Sequence, residues 1–229
     1  MFIHEMFQQK PCVFSVEVFP PKKAGAAEET LYPVLRELCT LGPDYISVTY
    51  GAGGGTAGQS TAKIASYIKN GLHVEALAHL TCVNSTRVQV EETLTRLRED
   101  NVENVLALRG DINPDLPRRM DFLHASDLAK AIAQTGGFGV AGACYPEGHV
   151  ESPSLKADVE SLRYKAEAGV SHLITQLFFD NVSYYRFLNM ARKAGISLPV
   201  QAGIMPIVSK KADRAHRGAQ LRQPAAAVY

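Results

Sequence analysis

A chain of 229 residues, 46% of them hydrophobic, can bury one sizeable core, and no Pro- or Ser-rich tract divides it in two. Its 24 Lys and Arg stand against 23 Asp and Glu, which leaves no surplus charge to follow a phosphate backbone or an anionic bilayer; nucleic acid and membrane are not expected partners. No apolar window reaches transmembrane length, the opening MFIHEMFQQKP lacks the apolar stretch of a signal peptide, and Cys12, Cys39, Cys82 and Cys144 form no CxxC pair, so a reduced, cytoplasmic chain is expected.

The first predicted strand, Val13 to Phe19, sets Glu17 between apolar neighbours. A carboxyl in such surroundings has a raised pKa and suits a general acid near neutral pH; the alternative is a carboxylate paired with a buried Arg, for which Arg109 is the available mate. The second strand, Tyr45 to Tyr50, contains Thr49 and runs into a glycine-rich loop in which Gly53, Gly55 and Gly58 satisfy G-x-G-x-x-G. A dinucleotide fingerprint belongs after the first strand of its own βαβ unit, so flexible glycines beside a bound cofactor are the more economical reading. The third strand, Val74 to Cys82, carries His79. The fourth, Asn104 to Leu108, leads directly into Arg109-Gly110-Asp111. Without a secretion signal this tripeptide does not read as an adhesion motif. An Arg and an Asp at one strand end suit a site that holds phosphate and hydrogen-bonds a polar heterocycle; the plainer reading is a local surface ion pair.

The fifth strand, Phe138 to Cys144, is followed by Tyr145 and His149. A helix is predicted after Ser152, with Pro153 at its first position and a stop at Gly169. Leu155, Val159, Leu162 and Ala166 give it one apolar stripe, while Asp158, Ser161 and Lys165 form a second, polar stripe whose usual meaning is a solvated face. The sixth strand, His172 to Phe178, carries Gln176, and the seventh spans Pro199 to Ile204. The seven histidines include no HExxH, and neither His nor Cys clusters at ligand spacing, so no metal site is expected.

Glu17, Thr49, His79, Arg109, Cys144 and Gln176 follow one another at intervals of roughly thirty residues, about the length of one βα unit. Alternating strands and helices admit an open doubly wound sheet or a closed barrel. One polar residue at the C-terminal end of nearly every strand favours the barrel, where those ends converge on a single active face.

Taken in order, SVEVFPPK, PDYISVTYGAGG, ALAHLTC, NVLALRGD, HASDL, ACYPEGH, the pair Asp158 and Lys165, ITQLFFD and AGIMP resemble the flavin-dependent methylenetetrahydrofolate reductases. The resemblance runs from about Val13 to Pro206. It implies a (β/α)8 TIM barrel with FAD in its mouth, reduced by NADH or NADPH and then oxidised by 5,10-methylenetetrahydrofolate, the two substrates taking turns in one site. By the same resemblance Glu17 matches the general acid that opens the folate's five-membered ring, Asp111 the acid near flavin and pterin, and Gln176 the amide that contacts either substrate. Thr49 matches a position on the nicotinamide side. Tyr50, Ala52, His79, Arg109, Gly110, Ala125, Tyr145, His149, Asp158, Ser161 and Lys165 match FAD-contacting positions. A homo-oligomer is expected on the same ground.

Two departures stand out. His124 occupies a position where the family commonly has tyrosine, and after Pro206 the family pattern stops. Residues 207–229 contain five Lys or Arg and almost no large apolar side chain, so no eighth strand is read there; the expected organisation is an incomplete barrel over residues 1–206 and a disordered tail that a frameshift or truncation would explain. Three readings follow: a working reductase, a catalytically inactive flavin- or subunit-binding remnant, and an unrelated barrel enzyme acting on small phosphorylated substrates.

Overall fold

The computed structural model describes residues 1–21, 23, 25–50, 55–112 and 119–205. Ala52, Pro206 and the expected tail lie outside the described residues. The elements run α1 (Ile3–Gln9), β1 (Ser15–Val18), α2 (Ala27–Thr30), α3 (Tyr32–Cys39), β2 (Tyr45–Val48), α4 (Gly55–Ser66, continued by a π-helical turn Tyr67–Gly71) and β3 (Glu75–Thr81). There follow α5 (Arg87–Glu99), β4 (Asn104–Leu108), α6 (Ala125–Thr135), β5 (Gly139–Cys144), α7 (Leu155–Glu167), β6 (His172–Thr175), α8 (Asn181–Lys193) and β7 (Val200–Gln201). The seven strands among the described residues are all parallel and pair in chain order, so each crossover returns the chain beside the strand it left.

A flat sheet of this order would separate β1 from β7 by roughly 29 Å, six inter-strand spacings. Instead the Gln201 side-chain amide on β7 donates to Ser15 Oγ on β1 at 3.0 Å and to the Val13 carbonyl at 3.3 Å, while its oxygen accepts from the Tyr45 hydroxyl on β2. The sheet is therefore curled into a barrel. Its two edges face each other, and no eighth strand stands between them among the described residues.

Strand alternation divides the core. Ile46, Val48, Ala76, Ala78, Val105, Ala107 and Val140 point outward and pack with Leu35, Leu94, Leu128, Leu162 and Phe187 of the surrounding helices. Tyr45, Leu77, Leu106 and Ala141 point inward and meet Ile3 and Met6 of α1, which closes the N-terminal end of the barrel. That plug is tied down where the Ile3 amide donates to Asn104 Oδ1 at 2.9 Å. Burying each large aliphatic side chain of this kind stabilises the fold by roughly 1.5–3 kcal/mol. Apolar filling below leaves the polar inward positions concentrated at the opposite, C-terminal end.

The expected strands are present, with β7 reduced to Val200–Gln201. The helix expected after Ser152 starts later. Ser154, not Ser152, is its cap, with Oγ accepting from the Ala157 amide at 3.1 Å, and Pro153 lies before the helix. Gly169, at φ +98°, ends that segment in a conformation that L side chains rarely adopt. No helix among the described residues is long and apolar enough to cross a membrane.

Candidate functional site

A cavity of about 1920 Å³ occupies the C-terminal end of the barrel. Glu17, Thr49, Tyr50, His79, Arg109, Gly110, Asp111, Ala125, Tyr145, His149, Asp158, Ser161, Lys165 and Gln176 all line it. Every candidate residue within the described part of the chain thus reaches one space, although they come from six strand ends and two helices. This is the face on which barrels assemble active sites.

The floor is built by three adjacent strands. Glu17 on β1 lies in register with Ser47 on β2, and His79 projects from β3 on the same inner face. Ser47 Oγ is 2.7 Å from His79 Nε2, and Glu17 Oε2 is 3.5 Å from the same nitrogen. Burial pushes the His79 pKa down to about 4, so the imidazole is neutral at neutral pH. Glu17 is raised from its ordinary value by removal from water, opposed by a hydrogen bond from Ser47. Its side chain is still 47% exposed, because it opens upward into the cavity while its base is enclosed.

The raised Glu17 pKa comes from a different source than its sequence neighbours suggest. Val16 and Val18 belong to the outward face and pack with the helices, as strand alternation requires. The cavity floor does the desolvating. Arg109 is not the mate of Glu17 or of Asp111: its guanidinium grips Glu151 with two bonds, Nη1 to Oε2 at 2.5 Å and Nη2 to Oε1 at 2.7 Å. With Glu151 half exposed, this pair adds little stability, roughly 0–1 kcal/mol. Asp111 and Gln176 stand exposed at the rim, where Gln176 Oε1 accepts from the Leu177 amide at 2.9 Å. Gly110 turns between Arg109 and Asp111 at φ +85°, and a Cβ there would come within 3.1 Å of Thr81 Cβ. The chain passes close under the rim at that point.

The polar stripe of α7 is not a solvated face. Asp158 is 8% exposed and accepts from the His149 amide at 3.2 Å, and the partly buried Lys165 ammonium donates to the Ala143 carbonyl at 2.6 Å. Lys165 Nζ also sits 5.9 Å from the centre of the Tyr145 ring, whose edge contact with His149 completes that wall. Burial lowers the Lys165 pKa, opposed by Cys144 and Asp158, and raises that of Asp158, opposed by Lys165. A cation held partly out of water, with Arg109 lining the same cavity, is a place for an anionic group. Thr49 holds α4 against β2 by accepting through its carbonyl from Thr61 Oγ1 at 2.9 Å, and Tyr50 lies over Gly58. His124, where tyrosine was expected, is the N-terminal cap position of α6, directly before the cavity residue Ala125.

Ser47, Ser15, Tyr45, Gln201 and Glu151 line the cavity without having been singled out in the sequence. The signal for two of them was present: in parallel strands, a polar residue two positions before another, as Ser15 precedes Glu17 and Ser47 precedes Thr49, lies on the same inner face.

Comparison with known proteins agrees with these observations. Residues 2–228 match the family model described as methylenetetrahydrofolate reductase. The chain is 38% identical over 197 residues to a 5,10-methylenetetrahydrofolate reductase of Pectobacterium carotovorum, covering 86% of this chain and 65% of that one. It is 36% identical to the Escherichia coli enzyme of the same name, with the same coverage of both chains. To Methylenetetrahydrofolate reductase (NADH) 1 of Arabidopsis thaliana it is 36% identical over 224 residues, 91% of this chain and 38% of the relative. The chain therefore spans less than two thirds of the curated relatives' length. Solved structures of oxaloacetate acetylhydrolase (TM-score 0.58, 11% identity, 99% of this chain and 87% of that one) and 2,3-dimethylmalate lyase (TM-score 0.56, 11% identity, 97% and 86%) share the fold alone.

Proposed function

Because this chain belongs to the methylenetetrahydrofolate reductase family, we propose that it reduces 5,10-methylenetetrahydrofolate to 5-methyltetrahydrofolate with electrons from NADH or NADPH, through FAD held at the barrel mouth. The observation that carries the proposal is the convergence of Glu17, Asp111, Gln176 and the inward stripe of α7 on one cavity. That cavity exceeds the roughly 300–1000 Å³ of an ordinary small-molecule pocket, in keeping with a cofactor and a substrate side by side.

The residues fit a flavin dinucleotide. Lys165 and Arg109 supply cations for its phosphates, and Arg109 would exchange Glu151 for phosphate. Tyr145, His149, His79, Ala125 and Gly110 give it a wall of rings, small side chains and close backbone. Thr49, Tyr50, Asp158 and Ser161 complete the contacts proposed for it, and Ala52 joins them by resemblance. Hydride transfer is the chemistry FAD supplies when bound.

Glu17 donates the proton that opens the folate's five-membered ring. Its raised pKa keeps the carboxyl protonated to higher pH than an ordinary glutamate, and its exposure toward the cavity lets it reach a substrate nitrogen. Asp111 and Gln176 orient the pterin from the rim. Residues 1–206 form the catalytic unit in this reading.

An anaerobic assay at the oxidised-flavin absorbance tests the proposal. NAD(P)H should bleach the purified protein and methylenetetrahydrofolate should restore its colour; Glu17→Gln should still bleach but lose recolouring by roughly 100-fold or more. A colourless protein, or one that bleaches and never recolours, would favour the remnant. That alternative draws on a seventh strand of only two residues beside an edge that no strand pairs among the described residues.

A further inference from the structure

We propose that Ser47 is a positioning residue for the acid step: its hydroxyl bridges the Glu17 carboxyl and His79 Nε2 and sets the direction and protonation state in which that carboxyl meets the folate. The inference rests on Glu17 being the proton donor. Ser47 is only 4% exposed and His79 8%, while Glu17 opens to the cavity, so Ser47 stands behind the reacting group and acts through it.

Geometry defines what the hydroxyl does. Register places Ser47 directly beside Glu17, and its oxygen lies 2.7 Å from an imidazole nitrogen on the next strand. His79 is neutral, so its Nε2 either donates to Ser47 or accepts from it, according to tautomer. When Glu17 is ionised, Ser47 donates to the carboxylate and accepts from the Nε2 proton. When Glu17 is protonated, its O–H donates to Ser47 and the serine proton turns to His79 Nε2, which then accepts as the Nδ1–H tautomer, so the imidazole proton passes between its two nitrogens through solvent exchange. In both states the hydroxyl has two partners and the carboxyl has a fixed neighbour.

A hydrogen bond to the charged form is stronger than one to the neutral form, so Ser47 favours the carboxylate that appears once the proton has left. Burial acts the other way, and the balance leaves Glu17 above its ordinary value. Among the described residues the titratable groups facing Glu17 are His79 on β3 and Tyr45 on β2, the latter pushed up to about 12 by burial. Both are neutral at working pH. Ser15 and Gln201, the polar groups toward β7, do not titrate. The Ser47 hydroxyl is thus the group available there to offset burial.

Removing it should raise the Glu17 pKa further and weaken proton donation. The test is a pH titration of the full-length protein carrying carboxyl-13C glutamate, with the Glu17 resonance assigned by its loss in Glu17→Gln. Ser47→Ala should titrate at higher pH than wild type and Ser47→Thr, which keeps the hydroxyl, close to wild type. In the folate half-reaction, the alkaline fall of rate in Ser47→Ala should move to higher pH and its plateau drop roughly tenfold. If Ser47→Ala fails to fold, Ser47→Cys, with a weaker donor, makes the same comparison. A Ser47→Ala titration superimposed on wild type, with Glu17→Gln still blocking folate reduction, overturns the role of Ser47 alone. A Glu17→Gln variant that reduces folate normally overturns the acid assignment, and the Ser47 proposal with it.

Discussion

His172 is 1% exposed, and neither ring nitrogen has a hydrogen-bond partner among the described residues; it sits against Phe7 of α1 with ring centres 5.4 Å apart. Burial, reinforced by nearby His4, pushes its pKa down to about 4 from an ordinary 6.5. The sign follows from proton counting. Below 6.5 the unfolded chain takes up a proton that the folded chain refuses until about pH 4, so stability is lost as pH falls through that window. His79 shifts in the same direction for the same reason, and each contributes on the order of 3 kcal/mol. Raised Glu17 and Asp158 act in the opposite sense, so a wild-type curve mixes the two. His172→Phe isolates one of them. Its urea midpoint should decline less between pH 7.5 and 5 than that of wild type, and parallel declines would show that His172 carries no such load.

Among the elements, α1 is the one whose contribution is most easily underrated, since it is short and ends in exposed polar residues. Ile3 is fully buried, Met6 nearly so, and both fill the barrel end beneath Tyr45 and Leu77. Ile3→Ala should cost about 2–5 kcal/mol, read from urea unfolding; a loss under about 0.5 kcal/mol would mean that α1 does not plug the barrel. The sequence was least legible at this helix. Its apolar positions are interrupted by His4 and Glu5, and its cap residue Phe2 is not a capping type, although Glu5 Oε2 accepts from the Phe2 amide at 3.2 Å, so it carried a signal only against a leader peptide. The strands were legible because a doubly covered parallel strand is an almost unbroken apolar run, as Tyr45–Val48, buried at all four positions, illustrates. The start of α7 was misread because Ser152-Pro153 satisfies the rule for a cap and first turn, whereas Ser154 makes the bond. In the site, Glu17 and His79 stood out as ionisable groups in apolar strands. Ser47 did not, since a serine in a strand becomes informative only when its register beside Glu17 is known.

At the scale of the whole molecule, the curl of the sheet is what lets residues of β1 and those of the β6 end share one cavity. No strand pairing links β7 back to β1 among the described residues, so the closure falls to side chains, chiefly Gln201. Its amide meets Val13, Ser15 and Tyr45, and the Tyr45 hydroxyl it accepts from belongs to a residue 1% exposed. Gln201→Ala would leave that hydroxyl without this partner, at a cost of roughly 1–3 kcal/mol. The loss should be local before it is global. Among the described residues β7 pairs on one side only, with Leu173 and Ile174 facing Val200 and Gln201, and an edge strand released from its far-side contact opens without unfolding the rest. Hydrogen exchange in Gln201→Ala should therefore quicken in β7 and β1 by roughly tenfold, while β3 and β4 in the middle of the sheet exchange as before. Because Glu17 and Ser47 lie just above this bridge on β1 and β2, the same variant should widen the floor of the cavity and, if the proposed function holds, weaken folate reduction more than nicotinamide oxidation. Unchanged exchange in β1 would mean that the barrel keeps its curl through the outer helices alone, and that the Gln201 bonds follow the shape instead of maintaining it.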